Sequence, residues 1–473
     1  MNPISTAVIL LPSGECGSPG PDAFRPGRLL GMTLLERAVL AAAQAGVKEF
    51  ILLGEPGQGW EERAARLGRD RRVTNRGLRL EFAPLSRLAE FGRPGVIGRP
   101  FWLIGAESVF NPEALVRAAA AERGLGETLH LVDNSAPGPA RTGDIGLKSV
   151  EIPAKAAAFV SLPAEGAASY AGVSLCPAES FPAICAALAA RGAIRPDADF
   201  LNGVFAPSAS RLFALDGLFC RRVSDRASFR TAYKYVLGTA RKPTDSYISR
   251  HFNRYISLFL TRIFLRLGMP PNPLSIVCIL IGLSGGWFVG QGGYVSTAVG
   301  ALLFEFASVF DGCDGEISRL TYRSTKLGGF LDMIGDASTY VIFFVSLPVG
   351  LYRHSHSAVW LYMALALFLA MAGYYVLLSR FMARMKLGNN VIGVVKDIER
   401  SAGQPGFRGR IDAIAAKIGF IYRRDFFATA VCLIVLADGA GVLMVLLPAF
   451  SLVEDLYLFF FSRRRLRALR GTK

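Results

Sequence analysis

From residue 274 onward the chain is dominated by uncharged apolar runs, at 274–290, 294–304, 337–352, 357–379, 426–437 and 439–453. A bilayer's hydrocarbon core needs about 20 apolar residues per helical span. Several of these runs are shorter, so their spans must continue through polar positions. Six runs predict an all-α transmembrane domain of six helices. The whole chain agrees with this reading, since 52% of its 473 residues are apolar and only 19% are charged, below the ~25% usual for soluble proteins.

The net charge is +16, and residues 241–473 supply +12 of it. Cationic residues flanking apolar runs point to a membrane. Nucleic-acid binding would need them along a polar groove, so no nucleic-acid partner is expected. The connecting segments alternate between basic and non-basic. Residues 291–293 carry no basic residue, and the second connection holds Arg319, Arg323 and Lys326. The third has Arg353 beside His354 and His356, the fourth is rich in Lys and Arg from 380 to 423, and the fifth has none. The tail reads SRRRLRALRGTK. The positive-inside rule then places both termini in the cytoplasm of a multi-pass integral membrane protein.

The first 240 residues have a different texture. Strand-like runs at 8–11, 47–53, 78–82, 100–104 and 129–132 alternate with helical patterns at 32–46 and 112–122. This βαβ rhythm predicts a cytoplasmic α/β domain with a mostly parallel sheet, and a domain boundary at 240/241. MNPISTAVILLPSGE lacks a basic stretch before its apolar run, so it reads as a buried strand and not a signal peptide. Seven scattered cysteines with no CxxC suggest reduced, buried thiols and no zinc site. Between the halves, Tyr247, Ile248, Phe252, Tyr255, Ile256, Phe259, Ile263 and Phe264 recur at helical spacing among Arg250, Arg254, Arg262 and Arg266. This pattern predicts an interfacial amphipathic helix lying against membrane lipids. An amphipathic helix packed on the soluble domain is the alternative.

Four aspartates interrupt the second and third spans, in DGCDGEISRLTYRSTKLGGFLDMIGD. Asp311 and Asp314 share one helix face, as do Asp332 and Asp336 on the next helix. A two-span hairpin can bring the pairs together. Charges at bilayer depth are costly, and four carboxylates in one place need cations. Hard divalent metals with oxygen ligands meet that need, two of them clamping a pyrophosphate. Gly312, Gly315, Gly328 and Gly329 leave room for a nucleotide to approach the helices. A transporter's cation pathway, a cation-binding scaffold, or salt bridges to Arg319, Arg323 and Lys326 would place the same residues here.

The segment resembles the CDP-alcohol phosphotransferase signature DxxDGxxARx8Gx3Dx3D. Asp311, Asp314, Gly315, Arg319, Gly328, Asp332 and Asp336 fall in register, and Ser318 replaces the alanine. The resemblance covers residues 242–465. It implies transfer of a phosphoalcohol group from a CDP-alcohol to a hydroxyl acceptor, with release of CMP, in phospholipid or polyol-phosphate synthesis. It further implies that Asp311, Asp314 and Asp332 bind metal, two Mg2+ ions with Mn2+ able to substitute. Asp336 would be the general base and a further metal contact. Asp314, Gly315, Ser318, Arg319 and Gly328 would line the CDP site. LLSRFMARMKLG resembles members whose acceptor is a phosphorylated polyol, which points to Ser379, Arg384 and Arg423 as an acceptor-phosphate pocket. Forked guanidinium hydrogen bonds suit phosphate, and ordinary positive-inside charges are the competing reading. Family members also pair as homodimers.

The opening AVILLPSGECGSPGPDAFRPGRLLGMTLLER resembles sugar-phosphate nucleotidyltransferases, with a Rossmann-like fold. Its loop departs from the family's GxGxR spacing, with Arg25 and Arg28 out of place. The two metal carboxylates would fall at Glu107 and near Asp225, with Ser224 in the second carboxylate's place. This implies a nucleotidyltransferase-like domain that has lost its activity and serves docking or regulation. The order of the halves and the junction KPTDSYISRHFNR resemble bifunctional inositol-phosphate cytidylyltransferase/di-myo-inositol-phosphate-phosphate synthases. A second reading therefore keeps both activities, one half making the CDP-alcohol from CTP. An inositol phosphate is then the expected acceptor.

Overall fold

The computed structural model describes residues 4–13, 28–121, 126–133, 145–150, 156–161, 168–194, 196–206, 209–215, 217–241, 252–384 and 424–471. The chain divides into two compact units. One comprises Met1–Thr239 with Leu320–Tyr322, the other Ala240–Arg319 with Arg323–Lys473.

The strands of the first unit are β1 (Thr6–Leu10), β2 (Glu49–Gly54), β3 (Arg79–Pro84), β4 (Phe101–Gly105), β5 (Ser108–Phe110), β6 (Thr128–Asp133), β7 (Ile145–Val150), β8 (Ala156–Ser161), β9 (Ala168–Cys176), β10 (Ser210–Ala214) and β11 (Cys220–Arg222). Its helices are α1 (Leu34–Gln44), α2 (Trp60–Gly68), α3 (Arg71–Thr74), α4 (Leu88–Phe91), α5 (Pro112–Ala121), α6 (Ser180–Arg191), α7 (Ala198–Val204) and α8 (Arg226–Gly238). The main sheet runs β10-β6-β9-β4-β1-β2-β3. Strands β3, β2, β1 and β4 are mutually parallel. Strand β9 lies antiparallel between β4 and β6, and β10 is parallel to β6, so six of the seven strands in this order run the same way and β9 alone is reversed.

The apolar periodicity accounts for most of these elements. Val8, Ile9 and Leu10 of β1 are buried on both faces, as a central parallel strand requires. Helix α1 starts where Thr33 and Glu36 form a reciprocal capping box. Strand β9, ASYAGVSLC, carries a weaker apolar signal because Ala, Ser and Gly take five of its nine positions around Tyr170, Val173 and Leu175. Gly172 within it has φ +75°, and its carbonyl accepts from Ser108 Oγ at 3.2 Å. Only glycine takes that backbone conformation without strain.

The second unit is helical: α9 (Arg254–Arg266), α10 (Pro271–Gly290), α11 (Tyr294–Thr321), α12 (Lys326–Ser355), α13 (Val359–Arg384), α14 (Arg424–Leu436) and α15 (Ala440–Gly471). Among the described residues five helices are long and apolar enough to cross a membrane: α10, α11, α12, α13 and the Ala440–Arg464 part of α15. The fifth sequence run gives α14, a shorter apolar helix that begins at the edge of the described residues. The six cysteines among the described residues are buried and form no disulfide.

Helix α10 seats its neighbours through glycine. A Cβ on Gly282 would lie 2.7 Å from Thr339 Oγ1 of α12, and Gly290 meets Ser346 of α12. Gly282, Gly286 and Gly290 repeat every fourth residue, the small-residue stripe that lets apolar helices approach closely. On another side of α10, a Cβ at Gly285 would lie 3.0 Å from the Gly300 carbonyl of α11. The two aspartate-bearing helices are therefore both packed backbone-close against α10.

Helix α9 buries several polar side chains and exposes large apolar ones, with Arg262 and Arg266 also exposed. Its buried side carries Arg254, Ser257, Leu258, Thr261 and Leu265, while Tyr255, Phe259 and Ile263 are exposed. In water such an arrangement would be unfavourable, since it exposes large apolar groups and buries polar ones.

Candidate active site

The sequence DGCDGEISRLTYRSTKLGG builds a tight helical hairpin. Helix α11 continues unbroken through both of its aspartates and ends at Thr321. Tyr322 turns the chain with φ +57°. Thr325 then caps α12, accepting from the Gly328 amide at 2.9 Å. The next turns of α12 carry Asp332 and Asp336.

The hairpin brings Asp311, Asp314 and Asp332 together, with one oxygen from each within 4.8 Å of the others. Asp314 is buried, Asp311 half-buried and Asp332 exposed. Asp336 sits one turn further along α12, half-buried and outside that group. Three carboxylates converging at this distance form an all-oxygen, hard-ligand set that suits a divalent cation. Among the described residues no other group of His, Cys, Asp or Glu side chains converges this way.

The glycines around the cluster have distinct surroundings. A Cβ on Gly315 would lie 3.0 Å from Arg319 Nη1, so the guanidinium folds back over Gly315. Arg319 donates from Nε and Nη2 to the Ala240 carbonyl at 3.0 and 2.8 Å. Gly328 faces α10, where its Cβ would lie 3.2 Å from Asn272 Oδ1. Gly329 opens onto free space, and Ser318 is half-buried.

Two contributors were not legible as site residues. Ser275, in the second turn of α10, donates its hydroxyl to Asp314 Oδ2. Asn272 stands beside Gly328 from the same helix start. The stretch PPNPLS held a signal in hindsight. A proline-started helix that places a polar amide and a hydroxyl three residues apart gives one polar face at a span's end.

Ser379 and Arg384 lie exposed near the end of α13, and Ser379 Oγ donates locally to the Val376 carbonyl at 3.0 Å. Arg423 lies outside the described residues. In the first unit, Glu107 Oε2 pairs with Arg222 Nε at 3.1 Å. Asp225 caps α8, accepting from the Ser228 amide at 2.7 Å. Arg25 lies outside the described residues.

Residues 269–421, which include this whole hairpin, match the CDP-alcohol phosphatidyltransferase family. The second unit carries a CDP-alcohol phosphatidyltransferase domain. Over 152 residues the chain is 30% identical to a bifunctional IPC transferase and DIPP synthase of Thermococcus kodakarensis, which is 32% of this chain and 33% of that protein. It therefore spans about a third of the length of the first curated relatives it matches. A longer alignment joins it to the bifunctional IPC transferase and DIPP synthase of Rubrobacter xylanophilus. That alignment is 25% identical over 345 residues, covering 71% of this chain and 74% of the other. It is too long to lie within the phosphatidyltransferase domain alone. Among solved structures, the inositol-1-phosphate CTP transferase from T. maritima aligns with 49% of this chain and 97% of its own, at 14% identity and a TM-score of 0.35.

Proposed function

We propose that this chain is an integral-membrane transferase that moves a phosphoalcohol group from a CDP-alcohol to a hydroxyl acceptor and releases CMP. The observation that carries the reading is the convergence of Asp311, Asp314 and Asp332 on one point, inside the matched domain. These three residues would hold divalent metal, Mg2+ or Mn2+. Bound there, the metal would neutralise the donor's diphosphate and polarise its phosphorus.

The remaining chemistry belongs to side chains of the protein. Asp336, one turn beyond Asp332, takes the proton of the acceptor hydroxyl. A hydroxyl is a weak nucleophile until a base removes its proton. The freed oxygen bonds to the phosphorus that bears the alcohol, and the bond from that phosphorus to the bridging oxygen breaks. CMP leaves with the bridging oxygen and its electrons. Gly315 and Gly328 give the nucleotide close access to the helices. Arg319, held over Gly315, presents the cation nearest to where a diphosphate would lie. Ser379, Arg384 and Arg423 form the acceptor-phosphate pocket.

Helix α9 lies in the membrane interface, its exposed Tyr255, Phe259 and Ile263 in lipid. Both termini face the cytoplasm. The division of labour falls at residues 240/241, and the protein works as a homodimer. The names of the relatives make CDP-inositol the first donor to test and an inositol phosphate the first acceptor.

The first unit acts as a docking or regulatory domain. Its two metal-carboxylate positions are otherwise engaged, Glu107 with Arg222 and Asp225 with the start of α8. The long alignment with a bifunctional relative supports the other reading, in which this unit makes the CDP-alcohol. Pyrophosphate release from CTP and inositol phosphate separates the two readings.

The test uses full-length protein in nanodiscs, with CDP-inositol and CDP-diacylglycerol each paired with inositol phosphate and other hydroxyl acceptors. Mg2+-dependent CMP release with one pair, abolished by Asp336→Asn, is the expected result. Absence of release from every pair, together with no binding of any CDP-alcohol, overturns the transferase reading in favour of a cation site.

A further inference from the structure

Glu316 lies within the aspartate signature but at one of its unspecified positions. It is fully buried. At about 100° per residue, it points away from both Asp311 and Asp314, roughly 140° and 160° around α11. On that far side it meets α9. Glu316 Oε1 accepts from Arg254 Nη1 and from Ser257 Oγ, both at 2.6 Å. Glu316 Oε2 accepts from Thr261 Oγ1 at 2.7 Å. Residues 254, 257 and 261 form a single helix face, so three donors on three successive levels of α9 grip both oxygens of one carboxylate.

The contact is close along its length. A Cβ on Gly312 would lie 3.4 Å from Ser257 Cβ and 3.5 Å from Arg254 Nη1, ordinary van der Waals contact, so α9 packs closely on this part of α11. Cys313 Sγ stands 3.5 Å from the Ser257 carbonyl, and Phe264 packs edge-on against Phe310 at 5.4 Å. The seam thus runs behind the stretch of α11 that presents Asp311 and Asp314.

A buried ion pair is a weak source of net stability, because desolvation offsets most of the attraction. What it supplies is a single permitted geometry. A carboxylate gripped through both oxygens fixes the rotation of α11 about its own axis. With side-chain ends about 5–6 Å from that axis, a 20° rotation would swing the aspartate oxygens by about 2 Å. Metal–ligand distances hold within about 0.2 Å. We infer that Glu316, clasped by Arg254, Ser257 and Thr261, is a positioning residue that sets the rotation of α11 and so holds Asp311 and Asp314 toward Asp332. The same clasp couples the pose of α9 to the metal site. This inference rests on the metal reading of the aspartate cluster.

The test is Mn2+ binding to the full-length protein in nanodiscs, followed by electron paramagnetic resonance. It needs no substrate. Wild-type protein should bind Mn2+, and Asp311→Asn combined with Asp314→Asn should abolish that binding. Glu316→Gln should raise the dissociation constant about 10-fold or more, in the range seen when an outer-shell partner of a metal ligand is lost. Thr261→Val, nearly isosteric and remote from the aspartates, should raise it about threefold and keeps the test open if Glu316→Gln misfolds. A clasp that only stabilised the fold would lower the number of binding-competent molecules and leave the constant unchanged. Wild-type binding that the aspartate variant abolishes, with constants unchanged in both clasp variants, overturns the inference alone. No Mn2+ binding by the wild type overturns the metal reading and the inference with it.

Discussion

Replacing Ser275 by alanine deletes one hydroxyl and leaves every other atom of the aspartate cluster in place. That hydroxyl donates to Asp314 Oδ2, and both residues are buried, at 5% and 6% exposure, so bulk water cannot take its place. The bond fixes one Asp314 oxygen and thereby aims the carboxylate plane at the cluster. A hydrogen bond to a charged group contributes about 1.5–3 kcal/mol. At about 1.4 kcal/mol per tenfold, the loss in cation affinity should be roughly 10- to 100-fold. Mn2+ titration of the full-length protein in nanodiscs measures it directly, and the Mg2+ concentration that half-saturates CMP release should move in parallel. Ser275→Thr keeps the donor and should stay within a few-fold of wild type. If Ser275→Ala binds Mn2+ within twofold of wild type, the hydroxyl does not position Asp314, and the supporting role assigned to the start of α10 is wrong.

Gly300→Ala should lower the thermal midpoint by several degrees, because its Cβ would stand 2.5 Å from the Gly285 carbonyl oxygen and 2.8 Å from the Val289 amide nitrogen, backbone that cannot step aside; overpacking of this kind costs about 1–3 kcal/mol. Gly329→Ala, with nothing within 4 Å, should leave the midpoint unchanged in the same melt. Glu107→Ala should leave CMP release at the wild-type rate and reveal no CTP-dependent pyrophosphate release, by coupled pyrophosphatase assay; a pyrophosphate signal in wild type that this variant removes would restore a catalytic first unit. The His130 imidazole is fully buried among Phe159, Tyr170 and Phe205, bonded through Nδ1 to Ser174 Oγ at 2.8 Å, and burial pushes its pKa down to about 3. The folded ring stays neutral while the unfolded one takes a proton below about pH 6.5, so the stability of the first unit should be full above that pH. It should fall by roughly 2–3 kcal/mol between pH 7 and pH 4.5. Denaturant unfolding followed by tryptophan fluorescence should show this slope in wild type and a flatter one in His130→Leu.

Local periodicity made the fold of the second half legible early, because apolar runs bounded by charge leave few options other than helices. What it could not convey was which helix packs on which. The glycines at 282, 286 and 290 look like ordinary members of an apolar run until α12 is seen against them. In the first half the parallel strands announced themselves through β-branched and aromatic residues. Strand β9 did not, since five of the nine residues of ASYAGVSLC are Ala, Ser or Gly, which dilute the signal of Tyr170, Val173 and Leu175. Its antiparallel placement follows from pairing partners far away in sequence, and no short window contains them.

The aspartates of the site were legible for a physical reason. Carboxylates inside apolar helices have no ordinary explanation, and their i, i+3 and i+4 spacing puts them on shared faces. Their supports were not legible, because a serine, an asparagine and a glutamate acquire meaning only from what lies across a helix interface. Glu316 illustrates the difference. Read in sequence it is one more charge beside a loop, exposed by default, and only its neighbours Ser318 and Arg319 fall at specified positions of the signature. In the fold it is buried, and its three donors come from a segment more than fifty residues earlier. On α9 Tyr255 and Phe259 are turned outward together with Arg262 and Arg266, whereas Arg254, Ser257 and Thr261 are turned inward. The helical period of that segment was legible in the sequence, whereas the inward turn of Arg254, unlike Arg262 and Arg266, was not. One observation explains that turn, since a buried carboxylate on α11 requires polar partners, and Arg254, Ser257 and Thr261 on the inward side of α9 supply them.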